Sequence, residues 1–298
     1  MVTLTGMQFE RYTDIHRFYD DTYDLLLSAE AENLIMEGNI LRGHAIGDTY
    51  AWHDPATWFM ATVREGEDIL IVALMTPPYE LTLFEVVPND DALACLVRGI
   101  RSAGVSLPGV MCESSLALRF ARAYERVVRV EWSIAVRQRI YELTEVSSEV
   151  PIVGSLRPVE EPDMCYVPYW AEAFCVDSGL PSVGSWGSDG LVGADLEPYQ
   201  LLVTSGLHIL VDQDTPVSMA RLTRTIRTVA GVGYVYTPPY YRGHGYASSC
   251  VAQLSRLILE TGFTRCVLYT DLANPISNSI YQKIGYTTVC DSHKIQFR

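Results

Sequence analysis

The sequence predicts an α+β fold with two domains in tandem, each a mostly antiparallel mixed sheet flanked by helices. The 298 residues are long for one core, since a domain usually holds about 100–200 residues. Stretches with helical spacing and short β-like runs follow one another in the same order in each half. A polar segment with a proline, 144–154, is typical of a linker. We therefore predict domains over residues 1–145 and 152–298.

The first half begins with helices and continues into strands. Apolar residues at near-helical spacing predict one or two helices over 18–40. The predicted strands lie at 58–63, 69–75, 79–86, 127–136 and 139–143, further helices lie at 92–102 and 115–126, and 109–112 is a short apolar run. Helices that flank strands with short connections indicate an α+β arrangement.

The second half repeats this order, which suggests diverged duplicates, although no residue-level repeat is visible. The turn 212–216 joins two strands and indicates a β-hairpin. Pro238 and Pro239 end a longer strand, because proline cannot donate to a ladder. The predicted strands are 156–158, 207–211, 217–223, 229–237, 266–270 and the closing strands within 286–297; the predicted helices are 163–176, 196–205, 246–261 and 275–283.

Composition and charge argue against several classes of protein. Apolar residues make up 48% of the chain and charged residues 19%, as in ordinary globular proteins, and no apolar run approaches the ~20 residues of a membrane span. The net charge of −14 argues against a nucleic-acid partner, because phosphates would be repelled. Seven cysteines without a C-x-x-C pair, and no signal-peptide pattern, predict reduced thiols in a cytoplasm. The six histidines show no metal-ligand spacing, so no catalytic metal is predicted.

The acidic charge is uneven along the chain. Residues 1–149 carry a net charge of −11 and the remaining residues −3. Such an excess either attracts a cationic substrate or simply keeps the surface solvated. The sequence leaves both interpretations open.

The most informative stretch is 233–249, GYVYTPPYYRGHGYASS, in which a strand runs into a loop and the loop into a helix. Gly243 and Gly245 permit positive φ and bring backbone N–H groups close to a ligand. The first turn of the helix adds unpaired donors and the positive end of its dipole. This pattern favours a pyrophosphate site, although a tight connection alone would use similar residues. A dinucleotide fingerprint is disfavoured because Ser248 stands where the third glycine is required, and the P-loop pattern is absent.

Two motifs then carry a specific resemblance. R-x-x-G-x-[GA] after a strand, matched by Arg242, Gly245 and Ala247, resembles the coenzyme A pyrophosphate loop of the GNAT superfamily. Further along, the segment 271–286 is similar to that superfamily's N-x-x-S-x-x-x-Y-x-x-x-G-[FY] pattern. The whole chain resembles bacterial two-lobed members whose first lobe is a degenerate GNAT-like domain. In the first half the region taken to correspond, Thr76–Tyr79, has no glycine-rich turn, so one cofactor-binding lobe is expected.

The resemblance implies acetyl-CoA as the acyl donor and a set of residues that bind it. Strand residues would pair with the pantetheine arm, and loop amides would hold the pyrophosphate. The expected cofactor-binding residues are Val235, Tyr236, Thr237, Arg242, Gly243, His244, Gly245, Tyr246, Ala247, Ser248, Asn274, Ser277 and Asn278. His244 also fits an exposed loop residue, and Asn274 before Pro275 also fits a helix N-cap.

Tyr281 matches the position of the family's general acid, and its alternative role is core packing. A tyrosine with a pKa near ~10 can protonate a thiolate whose thiol has a pKa near ~8.5. The general base is not identified, and His208 and Glu172 are candidates. The implied function is an N-acetyltransferase that moves acetyl from acetyl-CoA to a primary amine of a small molecule or peptide in a ternary complex. The alternatives are a non-catalytic acyl-CoA-binding regulatory protein and a transferase with another acyl donor.

Overall fold

The computed structural model describes residues 6–46, 54–179 and 206–298. The chain forms two units. Unit 1 comprises Met1–Ile140, Thr270–Asn274 and Thr288–Arg298, and unit 2 comprises Tyr141–Tyr269 and Pro275–Thr287. These units are discontinuous in sequence, whereas the domains 1–145 and 152–298 predicted above are contiguous.

Unit 1 is a mixed sheet with helices α1 to α4. Its strands are β1 (Met7–Tyr12), β2 (Phe59–Glu65), β3 (Asp68–Met75), β4 (Leu81–Glu85), β5 (Gly109–Glu113), residues 132–140 of β6 (Trp132–Leu143) and residues 288–297 of β12 (Thr287–Phe297). They lie in the order β1-β2-β3-β4-β5-β12-β6. The helices are α1 (Ile15–Leu26), α2 (Glu30–Ile46), α3 (Asp90–Ser102) and α4 (Ser114–Val128).

Side-chain caps and amphipathic spacing account for the helices of unit 1. Asp14 caps α1 by accepting a hydrogen bond from the His16 N–H at 2.9 Å, which satisfies a donor that has no partner within the helix. In α3, Leu93, Leu96 and Ile100 recur at helical spacing and are buried in the core of the unit. The capping and apolar residues that predict these helices are therefore also the residues that stabilise them.

The last strand of unit 1 comes from the far end of the sequence. Strand β12 pairs antiparallel with β5, from Ser292 opposite Glu113 to Gln296 opposite Gly109. Ile295 is fully buried in the core of this unit. A Cβ at Gly109 would lie 2.1 Å from the Ile295 carbonyl oxygen, so only glycine permits this close approach. From the sequence these residues are expected to be closing strands of the second domain.

Unit 2 combines strands of mixed direction with helices α5 to α7. Its strands are residues 141–143 of β6, β7 (Ser155–Pro158), β8 (Leu207–Asp212), β9 (Thr215–Thr225), β10 (Val229–Tyr236) and residues 265–269 of β11 (Arg265–Asp271). They lie in the order β6-β11-β10-β9-β8-β7. The helices are α5 (Val167–Ser178), α6 (Tyr246–Glu260) and α7 (Pro275–Ile284).

Helices cover both faces of the sheet in unit 2. Ile209 and Leu210 are successive residues of β8, and each is fully buried. Because successive strand residues point to opposite faces, they enter different cores. Leu210 packs in the core that contains Leu254 of α6, and Ile209 packs in the core that contains Val167 of α5.

The predicted fold class is confirmed. Each unit combines antiparallel strand pairs with one parallel pair, β4 with β5 in unit 1 and β10 with β11 in unit 2. Strand β1 was not predicted. Most of its residues are half-buried or exposed, so buried and exposed positions alternate only weakly along it. The strand predicted at 127–136 begins too early, because Val127 and Val128 belong to α4, and the rest of it joins 139–143 in one strand from Trp132. The helix predicted at 196–205 lies outside the described residues. No helix in the described ranges has both the length and the apolar character needed to span a membrane.

Candidate active site

The site is built around the point where β10 and β11 stop pairing. Their parallel register runs from Val229 opposite Arg265 to Gly231 opposite Val267 and ends there. On its other side, β10 is irregular against β9 between Gly233 and Tyr236. Tyr234 takes φ +50°, a left-handed conformation that costs an L-residue roughly 1–2 kcal/mol. A bulge of this kind bends the strand and redirects its backbone groups.

The predicted pantetheine-binding residues lie beyond the end of the parallel pairing. Val235 is half-buried, and Tyr236 and Thr237 are buried. The Ser218 hydroxyl donates to the Tyr236 carbonyl at 3.0 Å and lies 2.8 Å from the Thr237 Oγ1. Ser218 therefore fixes the end of β10 from the side of β9.

Two glycines shape the loop that follows β10. Gly243 has φ +84° and Gly245 has φ +81°, a region that favours glycine because a Cβ is strained there. Within the part of the chain that the structure describes, a Cβ added at either position would meet no heavy atom within 4 Å. The space beside both backbones is therefore open to a ligand.

Helix α6 begins directly at this loop without a side-chain cap. Gly245 is the N-cap, and the first turn holds no acidic residue. The first bond of the helix runs from the Ser249 N–H to the Gly245 carbonyl at 2.9 Å. The N–H groups of residues 246–248 therefore have no carbonyl partner within the helix. Such a terminus binds anions through its free donors and its dipole.

Arg242 connects the loop to the end of β10 and to helix α5. Its Nε donates to the Thr237 carbonyl at 2.9 Å, and a terminal nitrogen donates to the Asp177 carboxylate at 2.7 Å. The guanidinium also lies 5.8 Å from the Tyr236 ring centre. Both partners of the ion pair are about half exposed, at 51% and 52%. Arg242 is thus engaged by the protein rather than directed only at a ligand.

The neighbouring loop residues differ in how far they are fixed. The Tyr246 hydroxyl donates to the Asp212 carboxylate at 2.7 Å, and this bond raises the pKa of Tyr246. His244 is exposed, and its ring centre lies 5.9 Å from that of Tyr246. Tyr246 therefore anchors the start of α6 to the β8–β9 hairpin, whereas His244 is available at the surface.

Tyr281 lies on α7 and is buried, with 8% of its surface exposed. Its ring packs between those of Tyr141 and Tyr286, at centre distances of 6.4 and 6.0 Å. Burial raises the pKa of Tyr281 to about 12. Among the described residues none is hydrogen-bonded to its hydroxyl group. Both predicted roles, core packing and proton donation, are compatible with this placement.

The three polar candidates near α7 have separate environments. Asn274 is exposed in unit 1, where its N–H donates to the Asp271 carbonyl at 3.1 Å. Ser277 is half-buried in α7. The Asn278 side-chain oxygen accepts a hydrogen bond from the Tyr141 hydroxyl at 3.2 Å. The amide of Asn278 is therefore used at least partly within the protein, and cofactor contacts of these three residues stay a prediction.

The two candidate bases lie on different elements of unit 2. Burial lowers the pKa of His208, whose Nδ1 lies 3.0 Å from the Gly206 carbonyl, so the ring is neutral at pH 7. Strand β9 separates its strand, β8, from β10. Glu172 is half-buried in α5. Among the described residues no group of three or more His, Cys, Asp or Glu side chains could hold a metal ion.

The structure corrects which part of unit 1 corresponds to the glycine-rich loop. Thr76–Tyr79 connects β3 to β4, two antiparallel strands. The connection from the parallel-paired strand to its helix is residues 86–89, between β4 and α3.

That connection in unit 1 is closed by protein groups. The Asn89 side chain accepts hydrogen bonds from the N–H groups of Asp91 and Ala92, at 3.1 and 3.0 Å. The Asn89 N–H in turn donates to Glu85 at 2.7 Å, and Arg119 binds the same carboxylate at 2.6 Å. Two of the N–H donors in the first turn of α3 are therefore bonded to the Asn89 side chain.

Three residues that join the elements of the site were not among the candidates predicted from the sequence. Asp177, Ser218 and Tyr141 each make a side-chain bond to a candidate residue that is distant in sequence. No local motif contains these pairs, since they arise only when the strands and helices pack. Charge complementarity between Asp177 and Arg242 is the one signal that could have suggested a pair.

Comparison with known proteins supports the resemblance found in the sequence. Residues 212–295 match the model of the FR47-like protein family. No curated protein sequence matches the chain.

Solved structures match over almost the whole chain. A GNAT-family acetyltransferase from Colwellia psychrerythraea is 10% identical, with 97% of this chain and 98% of that chain covered and a TM-score of 0.56. A GCN5-related N-acetyltransferase from Sphaerobacter thermophilus is 13% identical, with 97% and 95% covered and a TM-score of 0.61. A tandem GNAT protein from the clavulanic acid biosynthesis pathway is 13% identical, with 98% of each chain covered and a TM-score of 0.55.

Proposed function

We propose that this chain, which has the fold of the two-lobed GNAT acetyltransferases, is an N-acetyltransferase that acts on a primary amine of a small molecule or peptide. The observation that carries the proposal is the start of α6. Its N–H donors lack a side-chain cap, and the two glycines before it leave open space. That arrangement fits a pyrophosphate group, which acetyl-CoA contains.

The residues of unit 2 suggest how acetyl-CoA would be held. The N–H groups of residues 246–248 and the loop around Gly243 would bind the pyrophosphate. The backbone of Val235, beyond the end of the β10–β11 pairing, would bind the pantetheine arm. Bound acetyl-CoA supplies an acetyl group activated as a thioester. Arg242 would keep the loop in place through its bond to the Thr237 carbonyl.

Tyr281 would serve as the proton donor. With its pKa raised to about 12, its hydroxyl stays protonated at neutral pH. A thiol has a pKa near ~8.5, so complete transfer of that proton to a thiolate is uphill. Tyr281 therefore acts first as a hydrogen-bond donor that stabilises negative charge on the departing sulfur. The hydroxyl is suited to this because no described side chain occupies it.

The second candidate function is an acyl-CoA-binding regulatory protein without turnover. The burial of Tyr281 among Tyr141 and Tyr286 favours it, because those contacts alone would account for the residue. A transferase with another acyl donor uses the same pyrophosphate cradle. The acidic excess of residues 1–149 supports a cationic acceptor in either transferase.

Two measurements on the full chain separate these functions. Calorimetry tests acetyl-CoA binding, and release of free thiol is then followed with a panel of cationic, neutral and anionic amines. Binding with amine-dependent thiol release supports the N-acetyltransferase, and preference for cationic amines that weakens with salt supports the charge argument. Binding without thiol release, also with longer acyl-CoA donors, supports the regulatory protein. No binding at all would overturn the assignment of the loop.

A further inference from the structure

We propose that Tyr141 is a positioning residue that sets the orientation of Tyr281. The inference rests on the proposed function, because it assigns a task to the hydroxyl of Tyr281. Tyr141 lies near the end of β6, ahead of the linker and outside the catalytic domain that the sequence predicted at 152–298.

The hydroxyl of Tyr141 holds α7 on both sides of Tyr281. It donates to the Asn278 side-chain oxygen at 3.2 Å and accepts from the Gln282 side-chain nitrogen at 3.3 Å. Asn278 precedes Tyr281 by one turn of the helix, and Gln282 follows it directly. Tyr141 is 0% exposed, whereas Asn278 is half-buried and Gln282 is exposed, so the bonds run from a buried hydroxyl to the outer side of α7. Together they fix the rotation of α7 about its axis at the turn that carries Tyr281.

The rings hold Tyr281 in addition to the hydrogen bonds. The Tyr141 ring lies 6.4 Å from that of Tyr281 at an interplanar angle of 55°. Tyr286 packs on Tyr281 at 6.0 Å and 65°, and its own hydroxyl is 2.8 Å from the Ser255 hydroxyl on α6. Tyr281 is thus placed between two rings that are themselves anchored by hydrogen bonds.

Tyr281 depends on the rings of Tyr141 and Tyr286 because its own hydroxyl has no bond to a described residue. Without such a bond, its direction is set by packing alone. Phenylalanine at 141 would fill the core equally well, whereas a buried hydroxyl costs free energy unless it is bonded. The bonds of the Tyr141 hydroxyl to Asn278 and Gln282 therefore indicate that this residue serves to position α7 and not only to fill the core.

The test compares Tyr141→Phe with Tyr281→Phe and with the double variant, all in the full chain. We expect Tyr141→Phe to lower kcat by about tenfold with KM for acetyl-CoA changed less than about twofold, since misplacement of a reacting group by ~1 Å can cost up to ~10². In the Tyr281→Phe background the same change should have no further effect on kcat, because no hydroxyl remains to be positioned. Unchanged kcat in Tyr141→Phe, or a loss that multiplies in the double variant, would refute the positioning role.

A measurement independent of turnover separates failure of this proposal from failure of the proposed function. In protein labelled with 3-fluorotyrosine, Tyr281→Phe identifies the Tyr281 fluorine resonance. Tyr141→Phe should shift that resonance, and the matched control Tyr124→Phe, which removes a buried hydroxyl from unit 1, should not. If no amine supports turnover, an unmoved resonance alone overturns the inference. Should Tyr141→Phe fail to fold, Gln282→Met removes one of the two bonds at an exposed residue and must give the same pattern of effects.

Discussion

Helices α3 and α6 occupy equivalent places in the two units. Helix α3 follows β4, which pairs in parallel with β5, and α6 follows β10, which pairs in parallel with β11. The two helices nevertheless begin differently. Helix α3 is capped by the Asn89 side chain and carries Asp90 and Asp91 in its first turn. Helix α6 begins at Gly245 with no side-chain cap and no acid in its first turn. The α3 terminus is capped by a side chain of the same chain, whereas the α6 terminus keeps N–H donors at which we propose that acetyl-CoA binds.

The difference shows how a shared fold can keep or lose a binding site through very few residues. Carboxylates near the start of α3 compensate the helix dipole and would repel a phosphate. The first turn of α6 holds no acidic residue, so its dipole adds to the N–H groups that lack a partner within the helix. We infer that unit 1 stabilises its own helix where unit 2 binds its ligand, and we expect one acetyl-CoA per chain.

The largest expected effect comes from placing an acid in the open terminus. Gly245→Glu should abolish acetyl-CoA binding, because it brings a negative charge and a side chain into the cradle at φ +81°, and like charges in contact cost several kcal/mol. The matched control is Gly104→Glu, at φ +66° in unit 1, also with open space around it. Calorimetry should show lost binding only for Gly245→Glu; equal affinity in a folded variant would remove the loop from the site.

Tyr281→Phe should lower kcat by about 10²–10⁴ while the ring, and therefore the melting temperature, is kept. Tyr124→Phe is the counterpart on α4 of unit 1 and should leave kcat unchanged. Because the pKa of Tyr281 is raised to about 12, its proton is lost only in strongly alkaline solution. Its ionisation should therefore produce no fall in kcat from about pH 7 to 10. Wild-type turnover in Tyr281→Phe would leave only the packing role.

Asn89→Ala tests the closed terminus directly. Loss of an N-cap costs about 1 kcal/mol of folding free energy, which thermal unfolding can detect. The stoichiometry of acetyl-CoA binding should stay at one, since Asp90, Asp91 and Glu85 remain. A second binding site in this variant would mean that the cap alone closes unit 1.

The smallest effect concerns the ion pair beside the open terminus. Asp177→Asn releases Arg242 and removes a negative charge near the loop, so acetyl-CoA should bind about two- to threefold more tightly, as expected for an exposed pair. Asp68→Asn, at an exposed acid of unit 1, controls for net charge. Weaker binding in Asp177→Asn would mean that the pair holds the loop in its binding conformation.

Local signals account for most of what the sequence could predict. Helices with periodic apolar faces, such as α3 and α6, lie within a few residues of their predicted bounds. The glycine pattern at Gly243 and Gly245 also predicts the positive φ angles found there. What the sequence could not show depends on pairing over long distances, such as β12 with β5 and the bonds of Tyr141 to α7. A register between strands that are far apart in the chain leaves no local pattern.

The place of β12 in unit 1 has a consequence for how the chain folds as it is synthesised. Domains that fold during synthesis usually complete the earlier part first. Here strand β5 is available early, but its partner, residues 288–297, is made only after all of unit 2. Until then β5 presents an unpaired edge, the kind of surface on which other chains can add a strand. A premature stop codon shortly before residue 288 would therefore damage the unit encoded first, and the defect would show as aggregation rather than as a missing activity.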